Sequence, residues 1–208
     1  LEGIIDQGAD YSKGNRFYHG EELKKMPIIR IIGNIVITFL TKLATGYYSI
    51  SDPLNGYTAL RIETLKKINL AKIAKRYDFE VSMLGEVAMT GGKVKDVFIP
   101  ARYGLEKSEI NLFIDSIKTI RILFQVFLRR IIFKYTLFNF HPIALFLFSG
   151  ITLFVFGSMY GFFLFLGTLP SDHIPPSTAT VMLSVVPFIT GFQLILQAIV
   201  LDIQNEPK

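Results

Sequence analysis

Residues 135–171 read YTLFNFHPIALFLFSGITLFVFGSMYGFFLFLGTLPS and contain no Lys, Arg, Asp or Glu. Residues 174–201, which read IPPSTATVMLSVVPFITGFQLILQAIVL, contain none either. Each run is longer than the roughly 20 apolar residues that cross a hydrocarbon core of about 30 Å. We therefore predict two transmembrane helices, near residues 143–167 and 178–201. The alternative, a buried hairpin of a soluble protein, is disfavoured because neither run has a polar face to meet water.

The residues before this apolar part have a different composition. The chain of 208 residues has 22 Lys+Arg and 17 Asp+Glu, a formal net charge of +5, yet only four of these charged residues follow Lys134. Of the 19 Phe, 15 lie from Phe113 onward. The chain therefore divides near Lys134 into a basic polar part and an apolar part. The absence of Cys excludes disulfides, thiolate zinc sites and cysteine nucleophiles, and the isolated His residues disfavour a histidine metal cluster.

The charges that flank the first predicted span indicate its orientation. Arg129, Arg130 and Lys134 immediately precede it, whereas residues 168–177, between the spans, hold no Lys or Arg. The positive-inside rule then predicts that the N-terminal part and the C-terminal tail are cytoplasmic. The chain opens with residues 1–3, LEG, rather than with a signal peptide or an initiator Met. From this we expect a further segment to precede it.

Glycines in the first predicted span offer a route to close helix packing. Gly157 and Gly161 have the GxxxG spacing that permits close contact between membrane helices, within one chain or in a homo-oligomer. Such spacing also occurs by chance. Pro187, Gln193 and Gln197 in the second span need no functional role.

Residues 109–134 join the two parts and are predicted to be helical. The apolar residues near helical spacing are Leu112, Phe113, Ile117, Ile120, Phe124, Phe127, Leu128 and Ile131. The cations in this segment are Lys118, Arg121, Arg129, Arg130 and Lys134. A basic amphipathic helix of this kind suits the interface between lipid headgroups and acyl chains. The alternative is a helix that packs on its own domain.

The polar part is predicted to be part of an α/β domain. Strands are indicated at 9–12 and 93–99, and helices at 27–45, 63–68 and 78–89. In the first of these helices, one apolar stripe comprises Ile28, Ile31, Ile32, Ile35, Phe39 and Leu43, and another side carries Arg30, Asn34 and Thr41. So few strands do not make a stand-alone parallel sheet. No Gly-rich phosphate loop of the G-x-G-x-x-G or Walker type occurs.

Three basic clusters offer groups that bind phosphate. They are residues 13–17 (KGNRF), Arg30 with Asn34, and residues 102–108 (RYGLEKS). Arg presents a planar fork, Lys a point charge and Ser a neutral donor. Solvated surface charge is the alternative for each cluster. Their position before a predicted membrane anchor favours an anionic lipid or a sugar nucleotide as the ligand.

Asp52, Asp78 and Glu80 are the acidic candidates for a site. A carboxylate that faces a site can act as a general base, orient a sugar hydroxyl or hold a basic neighbour. Asp78 can instead simply cap its helix, and Asp52 can simply shape the turn at Pro53. The residues alone leave these alternatives open.

Four further segments occur in a characteristic order: residues 10–17 (DYSKGNRF), 52–57 (DPLNGY), 77–80 (YDFE) and 99–108 (IPARYGLEKS). Together they resemble the family 2 glycosyltransferases, and among them the polyprenyl-phosphate glycosyltransferases similar to dolichol-phosphate mannosyltransferase. The resemblance covers about residues 1–110, and the paired membrane helices match membrane-bound members of the family.

The resemblance implies a fold and a reaction. Residues 1–108 would be the acceptor-side half of a GT-A domain, an α/β fold with few strands. Interface helices would follow at 109–134, and a transmembrane hairpin with a short tail at 135–208. Such enzymes transfer a sugar, with inversion, from a UDP- or GDP-linked donor to a polyprenyl or dolichyl phosphate, using Mg²⁺ or Mn²⁺.

The resemblance also implies roles for particular residues. The phosphate of the acceptor would bind Arg16 and Arg30, with Asn34 nearby. The acceptor loop would comprise Asp52, Asn55 and Gly56, and the acidic position of the family would be Glu80, with Asp78 beside it. The loop that closes on phosphates would contribute Arg102, Lys107 and Ser108. An acceptor that is already an anion needs cations that hold it more than it needs a general base.

The nucleotide-binding half of the family, with its Asp-x-Asp metal motif, is not found, because no D-x-D triplet occurs in the sequence. We therefore expect this chain to be the C-terminal portion of such an enzyme and to be inactive alone. The alternative function is a non-catalytic membrane module that binds anionic lipid or a partner protein. A transporter or channel is disfavoured because the spans carry no charges. Nucleic-acid binding is disfavoured because no recognised motif is present.

Overall fold

The structure is a computed structural model that describes residues 1–5, 8–16, 28–75, 78–99, 112–137, 140–168 and 176–207. The chain forms two compact units. One unit comprises Leu1–Lys134 with Asn205–Lys208, and the other comprises Tyr135–Gln204. The first unit contains a small mixed sheet and several helices, and the second contains a pair of long apolar helices.

A three-stranded sheet organises the described part of the first unit. Strand β1 (Tyr11–Asn15) lies in the middle, between β2 (Thr58–Leu60), which is antiparallel to it, and β3 (Val94–Phe98), which is parallel. All five residues of β1 are buried. The strands predicted at 9–12 and 93–99 are present with somewhat different bounds. Strand β2 is absent from the predicted elements because three residues are too few to display an alternating pattern.

Helices surround these strands in the chain. They are α1 (Glu2–Ile5), α2 (Ile28–Thr45), α3 (Ile62–Leu65), a 3₁₀ turn at Leu70–Lys72, α4 (Phe79–Thr90) and α5 (Leu112–Arg129). The helices predicted at 27–45, 63–68 and 78–89 correspond to α2, α3 and α4. Helix α5 continues into a π-helical segment, Arg130–Leu137, which is uncommon because π-helices occur mostly as single turns.

The apolar core of the first unit has two parts, and α4 contributes to both. The first part joins the sheet to α4 and includes Tyr11, Tyr47, Leu84, Val87 and Val94. The second part joins α2, α4 and α5 through Ile37, Ala44, Val81 and Leu123. Because α4 belongs to both clusters, it fixes the sheet relative to the helix pair.

The apolar stripe predicted on α2 lies on the exposed side of this helix in the first unit. Ile28, Ile32, Ile35 and Phe39 are between 52% and 76% exposed. Thr41, which the sequence places on another side from the stripe, is buried and donates its hydroxyl to the Ile37 carbonyl at 2.7 Å. The core-facing side of α2 therefore combines apolar Ile37 and Ala44 with polar Thr41, whereas most of the predicted apolar stripe points outward.

Helix α5 has apolar residues on two sides. Leu123 is buried against α2 and α4, whereas Ile117, Ile120, Phe124 and Leu128 are exposed large apolar residues. Helix α5 thus packs on its own domain and still presents an apolar face. The two alternatives raised by the sequence, an interface helix and a packed helix, are compatible in this geometry.

The second unit consists of the π segment's last residues and two long helices. Helices α6 (Pro142–Gly167) and α7 (Thr178–Gln204) have 26 and 27 residues, and both are long and apolar enough to cross a membrane. Their bounds agree with the predicted spans. Most of their large apolar side chains, such as Met159, Phe162 and Phe163, are exposed, as expected of helices that pair with one another and otherwise face lipid.

The contact between α6 and α7 depends on small residues. A Cβ atom added to Gly157 would lie 2.7 Å from the Ser184 carbonyl oxygen, so the backbones approach more closely than any larger residue permits. The Ser184 hydroxyl donates to the Gly157 carbonyl at 2.9 Å. The rings of Phe154 and Phe188 stack with centroids 4.8 Å apart. The close helix contact suggested by the GxxxG spacing therefore occurs within the hairpin.

Gly157→Ala is expected to destabilise the hairpin by about 1–3 kcal/mol, the usual cost of overpacking a filled contact. The measurement is the thermal midpoint of helical circular dichroism in detergent micelles. Gly33→Ala in α2 is the matched control, because a Cβ there meets nothing within 4 Å and Ala favours helix. Equal midpoints for the two variants would contradict the close contact.

Candidate functional site

Arg16 follows β1 directly and forms a two-pronged ion pair with Asp52. Its Nε donates to Asp52 Oδ2 at 2.7 Å, and its Nη2 donates to Oδ1 at 3.1 Å. Asp52 Oδ2 also accepts from the Arg16 backbone N–H at 3.3 Å and from Asn55 Nδ2 at 3.4 Å. The Asp52 side chain is 2% exposed and the Arg16 side chain 30%. In this arrangement, Asp52 holds a basic neighbour whose guanidinium still reaches solvent.

Lys13 contacts the loop of residues 51–57 from inside the core. Its ammonium Nζ donates to the Asn55 carbonyl oxygen at 2.7 Å, and the residue is 0% exposed. Burial lowers the pKa of Lys13 to about 8, although the carboxylates of Glu80, Asp52 and Asp96 oppose this shift. A buried amine with a perturbed pKa among carboxylates is typical of functional sites.

Asp96, in β3, ties the start of the same loop to the sheet. Its Oδ2 accepts from the Ser51 backbone N–H at 2.7 Å and from Asn15 Nδ2 at 3.2 Å. Burial raises the pKa of Asp96, while the hydrogen bond from Ser51 opposes the increase. The first residue of the loop is therefore held by Asp96 of β3, and Asn15, the last residue of β1, donates to the same carboxylate oxygen.

The far end of the loop is held by backbone hydrogen bonds. The Tyr57 N–H donates to Asn55 Oδ1 at 3.0 Å, and the Gly14 N–H donates to the Tyr57 carbonyl at 2.8 Å. Asn55 therefore contacts Lys13 through its carbonyl oxygen and Tyr57 through its side chain. These contacts fix the loop at both ends and leave Gly56, at its tip, exposed.

Glu80 and Asp78 at the start of α4 have different environments. Glu80 is half-buried beside the loop tip, since its Oε1 would lie 3.4 Å from a Cβ added to Gly56. Asp78 occupies the N-cap position of α4, but its side chain makes no cap hydrogen bond. Its Oδ1 accepts instead from the Thr119 hydroxyl of α5 at 2.5 Å. Glu80 thus belongs to the loop site, and Asp78 joins two helices.

A groove on α2 adjoins this loop. It has a volume of about 390 Å³ and is lined by apolar side chains and by Asn34, Thr38, Lys42 and Ser51. Ser51 also belongs to the loop, so the groove and the loop share a wall. Asn34 therefore lies on the groove. The side chain of Arg30, and the residues Arg102, Lys107 and Ser108, lie outside the part of the chain that the structure describes.

The described residues do not fit a resident metal ion. Among them, no group of three or more His, Cys, Asp or Glu side chains could hold one. Both oxygens of Asp52 bond to Arg16 or Asn55, and Asp96 Oδ2 bonds to Ser51 and Asn15. Asp96 Oδ1 is buried without a hydrogen-bond partner, but one carboxylate oxygen is not a ligand set for a divalent cation. We therefore derive no step through Mg²⁺ or Mn²⁺ from these residues.

The structure brings together Arg16, Asp52, Asn55, Gly56 and Glu80, which the sequence also singles out. It adds Lys13, Asn15 and Asp96, which are missing from the predicted site residues. Lys13 and Asn15 fall within the basic cluster of residues 13–17, for which the sequence leaves phosphate binding and solvated surface charge open, and the burial of a polar strand has no sequence signature. Asp96 lies in a strand 45 residues after Ser51, the loop residue that it holds, and no local pattern indicates a contact over this separation.

Comparison with known proteins gives three relatives of modest similarity. An uncharacterized protein of Methanocaldococcus jannaschii is 29% identical over 131 residues, 63% of this chain and 53% of that protein. A UDP-N-acetylglucosamine–dolichyl-phosphate N-acetylglucosaminyltransferase of Methanococcus voltae is 33% identical over 78 residues, 38% of this chain and 31% of the relative. A polyprenol monophosphomannose synthase of Mycolicibacterium smegmatis is 29% identical over 98 residues, 47% of this chain and 37% of the relative.

The chain spans only part of each relative, between 31% and 53% of its length. No protein-family model matches the chain, and no solved structure does. Two of the relatives are named for sugar chemistry on a dolichyl or polyprenyl lipid. These names agree with the general class of protein that the four sequence segments indicate.

Proposed function

We propose that the intact gene product is a membrane-bound glycosyltransferase that transfers a sugar from a nucleotide-sugar donor to a polyprenyl or dolichyl phosphate. In this proposal, the chain contributes the acceptor-side half of a GT-A domain. The observation that carries it is the Arg16–Asp52 ion pair, held beside the Asn55–Gly56 loop and Glu80. The names of two relatives support the same class of reaction.

The proposed transfer is a direct displacement that needs no nucleophile from the protein. A phosphate oxygen of the acceptor attacks C1 of the sugar, and a new C1–O bond forms on the face opposite the donor diphosphate. The bond from C1 to the diphosphate oxygen breaks, and the nucleoside diphosphate leaves with the electron pair. Because the acceptor is already an anion, a general base is not required, and positive charge near the phosphates lowers the barrier.

Each site residue has a proposed task in this step. Asp52 directs the Arg16 guanidinium toward the acceptor phosphate, and Asn55 and Gly56 shape the loop beside it. Glu80 orients a sugar hydroxyl. Arg30 and Asn34 on α2 bind the acceptor, and Arg102, Lys107 and Ser108 close on the phosphates. Asp78 acts through the position of α4, since its carboxylate bonds to Thr119.

The membrane helices place the reaction near its lipid substrate in this proposal. Helices α6 and α7 anchor the protein, and the exposed apolar faces of α2 and α5 lie in the membrane interface. The polar unit and the C-terminal tail are cytoplasmic, as the flanking cations indicate. Anchoring in the bilayer keeps the enzyme in the same membrane as its lipid acceptor, which reduces the entropy cost of bringing donor and acceptor together.

The test is sugar incorporation by membranes that contain the intact gene product. Membranes are incubated with labelled UDP- and GDP-linked sugars and a polyprenyl phosphate, and label is counted in the lipid extract. We expect label with the phosphate and none with the matching polyprenol, which lacks the anion. A properly inserted product that labels no lipid from any donor would instead indicate the alternative, a non-catalytic membrane module. The 208-residue chain alone is proposed to be inactive.

A further inference from the structure

Lys13 is an unusual residue for the middle of a buried strand. It pairs with Thr58 of β2 on one side and with Asp96 of β3 on the other, and its side chain is fully enclosed. Burying an ammonium costs several kcal/mol unless it is well compensated. An apolar side chain of similar length would fill the space without this cost. The groups that compensate the buried charge therefore indicate the role of Lys13.

The compensation for this buried charge comes from the loop and from the acidic site residues. The ammonium donates to the Asn55 carbonyl at 2.7 Å. Glu80 of α4, Asp52 of the loop and Asp96 of β3 favour its charged form, and Arg16 disfavours it. Lys13 is therefore the buried cation of a charged cluster that also contains three carboxylates and the partly exposed Arg16.

Lys13 is fully buried and therefore does not face a substrate directly, but it can stabilise the conformation of the loop. The Asn55 carbonyl that accepts from Lys13 comes one residue before Gly56, the exposed tip of the loop. Without the ammonium, this buried carbonyl loses its partner, which destabilises the loop conformation. Among the described charged groups around Lys13, Arg16 would then be the remaining cation to offset the three carboxylates as a phosphate approaches.

We propose that Lys13 is a positioning residue with two effects. It fixes the loop of residues 51–57 through the Asn55 carbonyl, and its charge offsets the nearby carboxylates so that an anionic acceptor can approach Arg16. The first part concerns the loop alone. The second part rests on the proposed function, because it requires a phosphate-bearing acceptor. The two parts make separate predictions.

The first experiment measures amide hydrogen exchange of the peptide that covers residues 51–58 in the intact gene product. Lys13→Met is expected to accelerate exchange by roughly tenfold or more, since the loop loses a hydrogen bond to a charged group. Lys13→Gln keeps a neutral donor and should show a smaller increase. Lys66→Met, at an exposed lysine of the same unit, should leave the peptide unchanged. Unchanged exchange in a folded Lys13→Met protein would overturn the proposal.

The second experiment measures transfer to polyprenyl phosphate between about pH 6.5 and pH 9.5. Lys13 is charged below about pH 8 and becomes neutral above it, so the wild-type KM for the acceptor should rise through this range. Lys13→Met and Lys13→Gln should have a high KM that lacks this rise, with a smaller change in kcat. A Lys13→Gln enzyme with the wild-type KM and pH profile would overturn the electrostatic part.

The outcomes separate this inference from the proposed function. Faster loop exchange in Lys13→Met, together with no transfer by the wild-type protein, would support the positioning role and refute the glycosyltransferase. If Lys13→Met does not fold, the wild-type protein serves instead. Amide exchange of the 51–58 peptide is then measured below and above pH 8, and each rate is corrected for the intrinsic pH dependence of exchange. Loop protection that is constant across this range would then count against the proposal.

Discussion

Arg16→Ala in the intact gene product is expected to lower sugar transfer by about a hundredfold or more, the usual effect of removing a group that stabilises developing charge. The buried Asp52 carboxylate orients the Arg16 guanidinium by accepting from its Nε at 2.7 Å and from its Nη2 at 3.1 Å. Membrane insertion should not change, because Arg16 lies in the polar unit. The measurement is label transferred to polyprenyl phosphate at equal amounts of membrane-inserted protein.

Three variants separate the effect on transfer from an effect on folding. Arg16→Ala also leaves the buried Asp52 carboxylate without its ion-pair partner, so the unfolding temperature is measured for each variant. Arg16→Lys keeps the charge and loses the fork, and should recover only part of the activity. Lys66→Ala removes an exposed cation and should be neutral. A folded Arg16→Ala protein with nearly wild-type transfer would refute the role of Arg16.

Arg130→Met is expected to lower the free energy of unfolding by about 2–5 kcal/mol, the cost of leaving one buried and one partly buried carbonyl without donors. The Arg130 side chain is among the largest fully buried ones, with 1% exposure of the residue. Its Nε donates to the Ala44 carbonyl at 3.0 Å, and its Nη2 donates to the Leu43 carbonyl at 2.7 Å. These are carbonyls of the last turn of α2, which lack partners within the helix.

The end of α2 is built around this arginine. Gly46 has a φ of +77°, a conformation that favours Gly, and a Cβ there would collide with the Arg130 guanidinium. The measurement is the thermal midpoint in detergent micelles, with Arg121→Met as the matched control because Arg121 is exposed on α5. If the two arginine variants unfolded at the same temperature, Arg130 would not cap α2.

This role for Arg130 differs from the one that the sequence indicates. In the sequence, Arg130 is one of the cations that precede the first span and signal its orientation. In the structure, its guanidinium is enclosed among the carbonyls of α2. Arg129 likewise pairs with the buried Glu86. The two arginines that precede the first span in the sequence thus also make contacts within the polar unit.

The two long apolar helices could be predicted from the residues alone. A run without charges that exceeds the thickness of a bilayer has few alternatives, because unsatisfied polar backbone in lipid leaves only the helix. The sequence also determined α2, α4 and β3 within a few residues, since their patterns are local. The segments around Arg16, Asp52 and Glu80 were recognisable because they are short and contiguous.

Which side of each element is buried, and which distant residues meet, becomes visible only in the folded chain. The sequence does not show that the apolar stripe of α2 is exposed, that Leu123 of α5 is buried while other apolar residues of α5 are not, or that the polar strand β1 is buried. Lys13, Asp96 and Arg130 act across separations of 42, 45 and 86 residues. Contacts of this kind depend on how the elements pack, and packing is a property of pairs of surfaces that no single segment contains.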